Sequence, residues 1–306
     1  MTLDGVSDGR IECLLRNAGH ECALSWYAPF TWLLPATLPM GLYDLHVSDG
    51  ARQGTAPNSV CVRRRTGSGF TVAHVTDPHL GSMTPDGDTT RNVQSAERLV
   101  RYLNDLAPDF VCLTGDLISR YGPDKAPLPA AVIHQAARRA REVLGQLRVP
   151  VFVTRGNHDV AFPASRAAWL EYMGGPAAGP DDYTFDYNSV RFVFLDAFVH
   201  YDPDTGAVLR RGHTPQQIEW LRTCMARPGV NQRVLVTHND VRNRLTELAT
   251  ELALAAILYG HTGRPRWEGS TVAEGTLNGH TPPHQCRLLR FDHGHMQTEV
   301  TNWREV

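Results

Sequence analysis

The stretch VFVTRGNHDV, residues 151–160, joins a short apolar strand to a polar turn. Residues 151–155 are predicted to form the strand, and GNHD at residues 156–159 follows directly at its carboxyl end. A glycine at such a point lets the backbone turn sharply and come close to a bound ion or anion. In open α/β folds, ligands bind where strands end and loops converge. The stretch therefore predicts a ligand site at the end of this strand.

Four other predicted strands end in the same kinds of side chain. These strands cover residues 71–77, 109–116, 233–237 and 256–259, and the side chains at their ends are Asp77, His79, Asp116, His238 and His261. One carboxylate after one strand is unremarkable. Five polar strand ends in succession favour one shared ligand site over a set of solvated loops.

The residue types at these strand ends indicate a pair of metal ions. Carboxylate, amide and imidazole ligands together suit Mn, Fe or Zn, whereas softer metals select thiolates and Mg or Ca an all-oxygen set. Two ions ~3.5–4 Å apart need a bridging carboxylate, and such a pair activates a water and clamps a phosphoryl group. Asp116, on a tight Gly-Asp turn, is the candidate bridge.

The chain changes its pattern near residue 68. Residues 1–68 contain short β segments separated by turn residues, which predicts a small all-β sandwich as an accessory domain. Within residues 69–306, strands alternate with helical stretches, which predicts βαβ units and an α/β fold. We therefore expect two domains with this boundary.

Taken together, these segments resemble the calcineurin-like metallophosphoesterase family. The matching motifs, in the family's order, are the DxH of HVTDPHLG, the GD of LTGDLI, the GNHD, the His of VTHND and the GHT at residues 260–262. The stretch PDFVCLTGDLI is most similar to the cyclic-nucleotide phosphodiesterase-like branch. The resemblance implies a β-sandwich flanked by helices, and a metal-dependent phosphohydrolase that prefers a phosphodiester.

The resemblance also implies a role for each matching side chain. Six of them become metal ligands: Asp77 and His79 on the first metal, Asp116 as the bridge, and Asn157, His238 and His261 on the second metal. His158 is implied to protonate the leaving oxygen or to stabilise the transition state, with Asp159 fixing its orientation. The nucleophile is implied to be a metal-activated hydroxide, so no protein nucleophile is required.

The last motif departs from the family pattern. The family usually has GHxH, where the second His completes the first metal site, but this chain has Gly263 at that position. Three outcomes are open. A water fills the gap; or His280 or His284 substitutes as the ligand; or the first site stays empty, which leaves a one-metal enzyme or an inactive binding protein.

Several residues near the motifs have a second interpretation. Arg155 either binds a substrate phosphate bidentately or forms a structural salt bridge. His74 is expected to pack within the sheet. His213, His293 and His295 lie near turns and are expected to be exposed.

The net charge and the lengths of the apolar runs exclude some classes of binding partner. The net charge of −2 over 306 residues provides no basic surface for bulk nucleic acid or for an anionic membrane. No apolar run reaches the ~18 residues of a membrane helix, and the first residues lack the pattern of a secretory signal. Six dispersed cysteines without a CxxC predict reduced thiols. We expect a cytoplasmic protein, a phosphate-ester small molecule or nucleotide as substrate, and a homodimer formed through the N-terminal domain.

Two alternative functions stay open from the sequence. One is a phosphomonoesterase built on the same site. The other is a catalytically silent member that keeps the fold and one metal, and uses the N-terminal β domain to recognise a partner.

Overall fold

The computed structural model describes residues 11–28, 31–63, 67, 69–81, 90–119, 122, 126–160, 162–174, 181–197, 200–202, 208–210, 212–238, 242–261, 266–268, 271–273 and 285–302. The chain forms two compact units. The first comprises Met1–Gly67 with Arg148–Pro150, and the second comprises Ser68–Leu147 with Val151–Val306. We call them the N-terminal unit and the catalytic unit.

The N-terminal unit is built from strands. They are β1 (Glu12–Arg16), β2 (Glu21–Ala23), β3 (Ser25–Ala28), β4 (Thr31–Leu33), β5 (Gly41–Ser48) and β6 (Gln53–Val62). Four of them form an antiparallel sheet in the order β2-β1-β5-β6, while β3 and β4 pair with each other. Leu15, Leu38 and Tyr43 are buried at the centre of this unit. The all-β character expected from the sequence is confirmed.

The catalytic unit alternates strands and helices along most of its length. Its elements are β7 (Phe70–Val75), α1 (Arg91–Leu106), β8 (Phe110–Leu113), α2 (Ala130–Leu144), β9 (Val151–Val153), α3 (Asn157–Val160), α4 (Pro163–Tyr172), β10 (Tyr183–Tyr187), β11 (Val190–Phe194), β12 (His200–Tyr201), β13 (Val208–Arg210), α5 (Pro215–Ala226), β14 (Gln232–Val236), α6 (Arg242–Glu251), β15 (Ala256–Tyr259), β16 (Arg266–Glu268), β17 (Thr271–Ala273), β18 (Gln285–Asp292) and β19 (His295–Asn302).

Two sheets of this unit pack face to face. One has the order β19-β18-β7-β8-β9, with β7, β8 and β9 parallel, and the other has the order β10-β11-β14-β15-β17-β16. A single apolar cluster unites side chains from both sheets, among them Phe70, Phe110, Phe192, Val234 and Leu258. Because both faces of the central strands are covered, their sequences are continuous apolar runs such as FVCL in β8.

Helices cover the outer faces of the two sheets. Leu99 of α1 and Val143 of α2 line a common apolar region with Val75 and Leu113 of the first sheet. Helices α5 and α6 pack in the same way on the second sheet, where Leu221 and Leu248 join the cluster around Leu235. The predicted α/β class, a β-sandwich flanked by helices, is therefore confirmed. Among the described residues, no helix has the length and apolar character that crossing a bilayer requires.

Candidate metal centre

Four of the predicted ligands lie at strand ends in a backbone conformation that ordinary residues avoid. The φ angles are +53° for Asp77, +45° for His79, +53° for Asp116 and +67° for His261. A non-glycine residue held in this left-handed region costs about 1–3 kcal/mol, and such residues cluster at functional sites. The left-handed conformation thus recurs in the loops after β7, β8 and β15, although Asn188 and His293 adopt it in hairpin turns as well.

The carboxylate of Asp116 lies at the centre of the cluster. Its Oδ2 is 3.8 Å from Nε2 of His79, 4.0 Å from Nε2 of His158 and 3.4 Å from Nε2 of His238. Burial would raise the pKa of Asp116, but the charge and hydrogen bond of His238 outweigh it and lower the pKa. The carboxylate is therefore ionised and faces three imidazole nitrogens.

These separations fit metal ligation. Two groups of ligand atoms lie within 4.8 Å of one another, one from His79, Asp116 and His158, the other from Asp116, His238 and His261. Ligands at ~2.1 Å from a tetrahedral ion lie ~3.4 Å from each other, which is close to the observed spacing. Asp116 belongs to both groups, as a carboxylate that bridges two ions must. The donor set therefore fits a pair of metal ions.

His238 is oriented for ligation by its second ring nitrogen. Its Nδ1 donates a hydrogen bond to the carbonyl oxygen of Thr114 at 2.5 Å, which leaves Nε2 as the nitrogen that could bind a metal. That Nε2 is 3.2 Å from Oδ1 of Asn157, and the ring lies 5.3 Å from the ring of His261. Burial would lower the pKa of His238, but the Asp116 carboxylate outweighs it and raises the pKa to about 10. Nε2 of His238 therefore carries a proton in the metal-free protein, and a metal ion bound at Nε2 would replace that proton.

The side chains predicted for the first metal also meet. Nε2 of His79 is 3.6 Å from Oδ1 of Asp77. The other oxygen of Asp77 accepts hydrogen bonds from Oγ1 of Thr76 at 2.5 Å and from the amide of His261 at 3.0 Å. Burial would lower the pKa of His79, but the carboxylates of Asp77 and Asp116 outweigh it and raise the pKa. Oδ2 of Asp77 thus links the loops after β7 and β15 by hydrogen bonds, and Oδ1 faces His79.

A glycine is required where these loops touch. A Cβ built on Gly260 would overlap Oγ1 of Thr76 and the Oδ2 atom of Asp77. Gly260 therefore lets the loop after β15 approach the loop after β7 closely enough for the His261 amide to bond Asp77. This close approach is what brings the two loops into one site.

His158 and Asp159 sit on α3, directly beside the bridge. The amide of His158 donates to Oδ1 of Asp116 at 2.7 Å, and its ring meets the ring of His79 edge-on at 4.5 Å. Asp159 is fully buried, and its carboxylate accepts hydrogen bonds from the amides of Asp116 and Gly156, both at 2.8 Å, and from that of Ile118 at 3.2 Å. Asp159 therefore acts on the two loops through their backbones.

Residues 70–265 match the family model named Calcineurin-like phosphoesterase. The chain belongs to this family. The match begins at Phe70 in β7 and includes every strand end that contributes to the cluster. The family expected from the motifs is confirmed.

Two curated relatives of this calcineurin-like phosphoesterase are phosphodiesterases by name. Glycerophosphodiester phosphodiesterase GpdQ of Enterobacter lignolyticus is 31% identical over 136 residues, which cover 41% of this chain and 43% of the relative. A protein of Rhodococcus erythropolis named "Probable cyclic nucleotide phosphodiesterase" is 26% identical over 205 residues, covering 62% of this chain and 60% of the relative. The chain thus spans less than two thirds of each relative's length.

Solved structures share the fold at low sequence identity. A dimetal phosphatase from Danio rerio has a TM-score of 0.56 at 13% identity, covering 76% of this chain and 99% of its own. Purple acid phosphatase PPD1 from yellow lupin has a TM-score of 0.59 at 12% identity, covering 97% of this chain and 68% of its own. These similarities support the fold class.

The structure of this calcineurin-like phosphoesterase also bears on the two interpretations of Arg155. The residue is buried, and both Nε and Nη2 donate hydrogen bonds to Oδ2 of Asp196, the first at 2.8 Å. The salt bridge of the second interpretation is therefore present, and the phosphate contact stays a prediction. Asp196, which follows β11, was not identified from the sequence because its role depends on a partner in the other sheet.

Other predicted residues fall into two groups. Gly263, His280 and His284 lie outside the described residues, so the three outcomes for the fourth ligand of the first metal stay open. His74 is buried as expected, with Nε2 at 2.9 Å from Oγ1 of Thr114. His213 was expected to be exposed, and this is wrong, because it is 4% exposed and lies beside Thr237. Its loop folds back over the end of β14, a contact that local turn signals do not reveal.

Proposed function

We propose that this chain is a metal-dependent phosphodiesterase acting on a small phosphodiester or a nucleotide. The observation that supports this most strongly is the placement of one Asp116 oxygen 3.4–4.0 Å from three imidazole nitrogens. Two ions held there, as Mn, Fe or Zn, supply an activated water and neutralise charge on the phosphoryl group. In this proposal the ligands are Asp77 and His79 on one side of Asp116, and Asn157, His238 and His261 on the other.

His158 is the proposed general acid. Its side chain is 20% exposed, so it can reach both a substrate and the cluster, and its ring stands against His79. A general acid acts through its protonated form. It can then give its proton to the departing oxygen of the ester. Asp159 holds the amides of Gly156 and Asp116, which positions the backbone that carries His158.

The preference for a diester rests on relatives. Both named relatives are called phosphodiesterases, one for glycerophosphodiesters and one for cyclic nucleotides. Since each is matched over less than two thirds of its length, substrate identity is part of the proposal.

A cytoplasmic location is proposed on the state of the cysteines, since all six are thiols, four of them buried, as is usual in a reducing compartment.

The proposal is tested by turnover of two aryl esters. The full chain is loaded with Mn, Fe, Zn or Co and assayed with bis(para-nitrophenyl) phosphate and with para-nitrophenyl phosphate. We expect kcat/KM for the diester to exceed that for the monoester by ~10-fold or more. His158→Asn provides the inactive comparison. His293→Asn, on an exposed turn with φ of +46°, provides the matched control and should keep full activity.

Two results would oppose the proposal. A higher kcat/KM for the monoester would assign a phosphomonoesterase to the same site. Bound metal without hydrolysis of either ester, with any of the four metals and at any pH, would assign the chain to the silent binding module instead.

A further inference from the structure

The β3–β4 hairpin of the N-terminal unit and the segment that follows it expose large apolar side chains. Among the described residues, Trp26 is 63% exposed, Tyr27 66%, Leu33 51%, Leu34 52% and Met40 63%. We call these five residues the apolar patch. Leu33 pairs with Ser25, the neighbour of Trp26, across the hairpin, and Leu34 and Met40 follow in the same stretch of chain. Exposed apolar side chains that form one surface mark an interaction site.

The β3–β4 hairpin leaves two aromatic side chains uncovered. Trp26 and Tyr27 are neighbours in β3, and both are more than half exposed. In the described structure, β3 and β4 pair only with each other. A two-stranded hairpin on its own is marginally stable in water. A partner that packs on the patch would supply the apolar contacts that the hairpin lacks.

The patch has a charge pattern that suits a copy of itself. No Asp, Glu, Lys or Arg occurs from residue 22 to residue 43, between Glu21 and Asp44. In a two-fold symmetric dimer the same patch faces itself, so any charge near the axis would meet a like charge. An uncharged apolar patch meets no such repulsion. We propose that the apolar patch is a dimer interface between two copies of this chain.

The size of the patch is compatible with a dimer. Aromatic side chains bury ~150–250 Å² each when fully covered, so Trp26 and Tyr27 offer roughly 200–330 Å² per copy, to which Leu33, Leu34 and Met40 add. A standard interface needs about 800 Å² per partner. Pro35, Ala36 and Thr37 are exposed within the same uncharged stretch and enlarge the surface toward that value. Aromatic residues at the centre of such an interface supply most of its binding energy.

The mass of the full chain in solution tests the proposal. Light scattering coupled to size-exclusion chromatography is recorded from about 1 µM to about 100 µM protein, a range that resolves dissociation constants in the micromolar region. We expect twice the chain mass for the wild type. Trp26→Arg and Leu33→Arg each place like charges across the two-fold axis and should weaken dimerisation by ~10-fold or more.

Val300→Arg is the matched control. Val300 is an exposed apolar residue at 39%, outside the patch, so this variant should dimerise like the wild type. All three variants should keep wild-type ester hydrolysis, because exposed positions outside the metal centre are changed, and Val300→Arg should also keep the wild-type Tm. The result is independent of the proposed function, since mass is measured without substrate.

Four outcomes would overturn the proposal. The first is a single chain mass at every concentration, and the second is a dimer that Trp26→Arg leaves intact. The third is a monomeric wild type whose Tm falls on Trp26→Arg, which assigns the patch to contacts within one chain. The fourth is a monomeric wild type that co-sediments with phosphatidylcholine vesicles, which assigns it to a lipid surface.

Discussion

The Arg155 guanidinium and the Asp196 carboxylate form a buried ion pair that joins the ends of the two sheets. Arg155 lies between β9 and the Gly156 turn, while Asp196 follows β11 of the other sheet. The same Asp196 oxygen also accepts the amide of Asp181 at 3.2 Å. The loop that presents Asn157 and His158 is therefore anchored to the opposite sheet by a charged contact.

Removing the carboxylate of this pair should destabilise the catalytic unit and disturb the metal centre. Asp196→Ala removes the carboxylate that pairs with the buried guanidinium, and breaking a buried ion pair typically costs about 3–5 kcal/mol. We expect the free energy of unfolding to fall by that amount and metal content to fall with it. Denaturant unfolding and elemental analysis of the purified variant measure the two effects.

An exposed ion pair serves as the control. Arg222 and Glu251 are bonded at 2.6 Å, but their side chains are 45% and 46% exposed. Glu251→Ala should therefore change stability by only about 0–1 kcal/mol and leave metal content unaltered. If the two variants lost stability equally, Arg155 and Asp196 would not be anchoring the loop.

Asn157→Ala should lower metal content and activity together. The amide oxygen lies 3.2 Å from Nε2 of His238, on the side of Asp116 assigned to the second metal. Removing a ligand weakens the binding of the metal ion, and the reaction rate falls because it depends on the bound ion. Elemental analysis and initial rates on the diester should fall in proportion, and excess metal should restore part of the rate. Full occupancy with a lost rate would contradict a ligand role for Asn157.

His158→Ala should lower the reaction rate without lowering metal content, whereas Asn157→Ala should lower both. If the imidazole acts as general acid, the rate falls by ~10²–10⁴ while metal content stays close to that of the wild type. The loss should be smaller for an ester whose leaving group needs no protonation. A variant that arrives without metal would instead make His158 a ligand, as its distance of 4.0 Å from Oδ2 of Asp116 also allows.

The strand ends of the site could be predicted because their signals are local. Asp77, Asp116 and His238 each follow an apolar run that is buried in the sandwich, so the position of the polar residue is fixed by the strand before it. Thr214-Pro215 is likewise a local signal for a helix start, and at the start of α5 the Thr214 hydroxyl accepts the amide of Gln217.

Long-range contacts could not be predicted in this way. Asp196 is 41 residues from Arg155 in the chain, and nothing in either segment indicates which sheet the other belongs to. His213 has turn residues around it, which indicate exposure, yet its loop packs on Thr237. In both cases the deciding contact depends on how two elements distant in sequence are brought together.

Gly260→Ala should damage the site through backbone displacement alone. The added methyl group would overlap Thr76 and Asp77, and the loops after β7 and β15 would have to separate. A shift of ~1 Å at a catalytic cluster can cost ~10²-fold in rate. Gly19→Ala, where no atom lies within 4 Å of the added carbon, is the control and should leave rate and metal content unchanged. Wild-type activity in Gly260→Ala would show that the close approach of these loops is dispensable.

Asp182→Asn should stabilise the catalytic unit at neutral pH and leave it unchanged in acid. Burial raises the pKa of Asp182 to about 6, despite hydrogen bonds from the Asp196 amide at 2.7 Å and from Gln217 at 3.0 Å. Between the unfolded value of 3.8 and about 6, the folded protein binds more protons than the unfolded one. Stability contributed by this group is therefore lost as pH rises through that interval.

The asparagine keeps an acceptor for the Asp196 amide but has no charge to bury. The stability difference between variant and wild type should be near zero at pH 4 and reach about 3 kcal/mol by pH 7. Denaturant unfolding of the metal-free protein across this range measures it, and a difference independent of pH would show that Asp182 is not the titrating group.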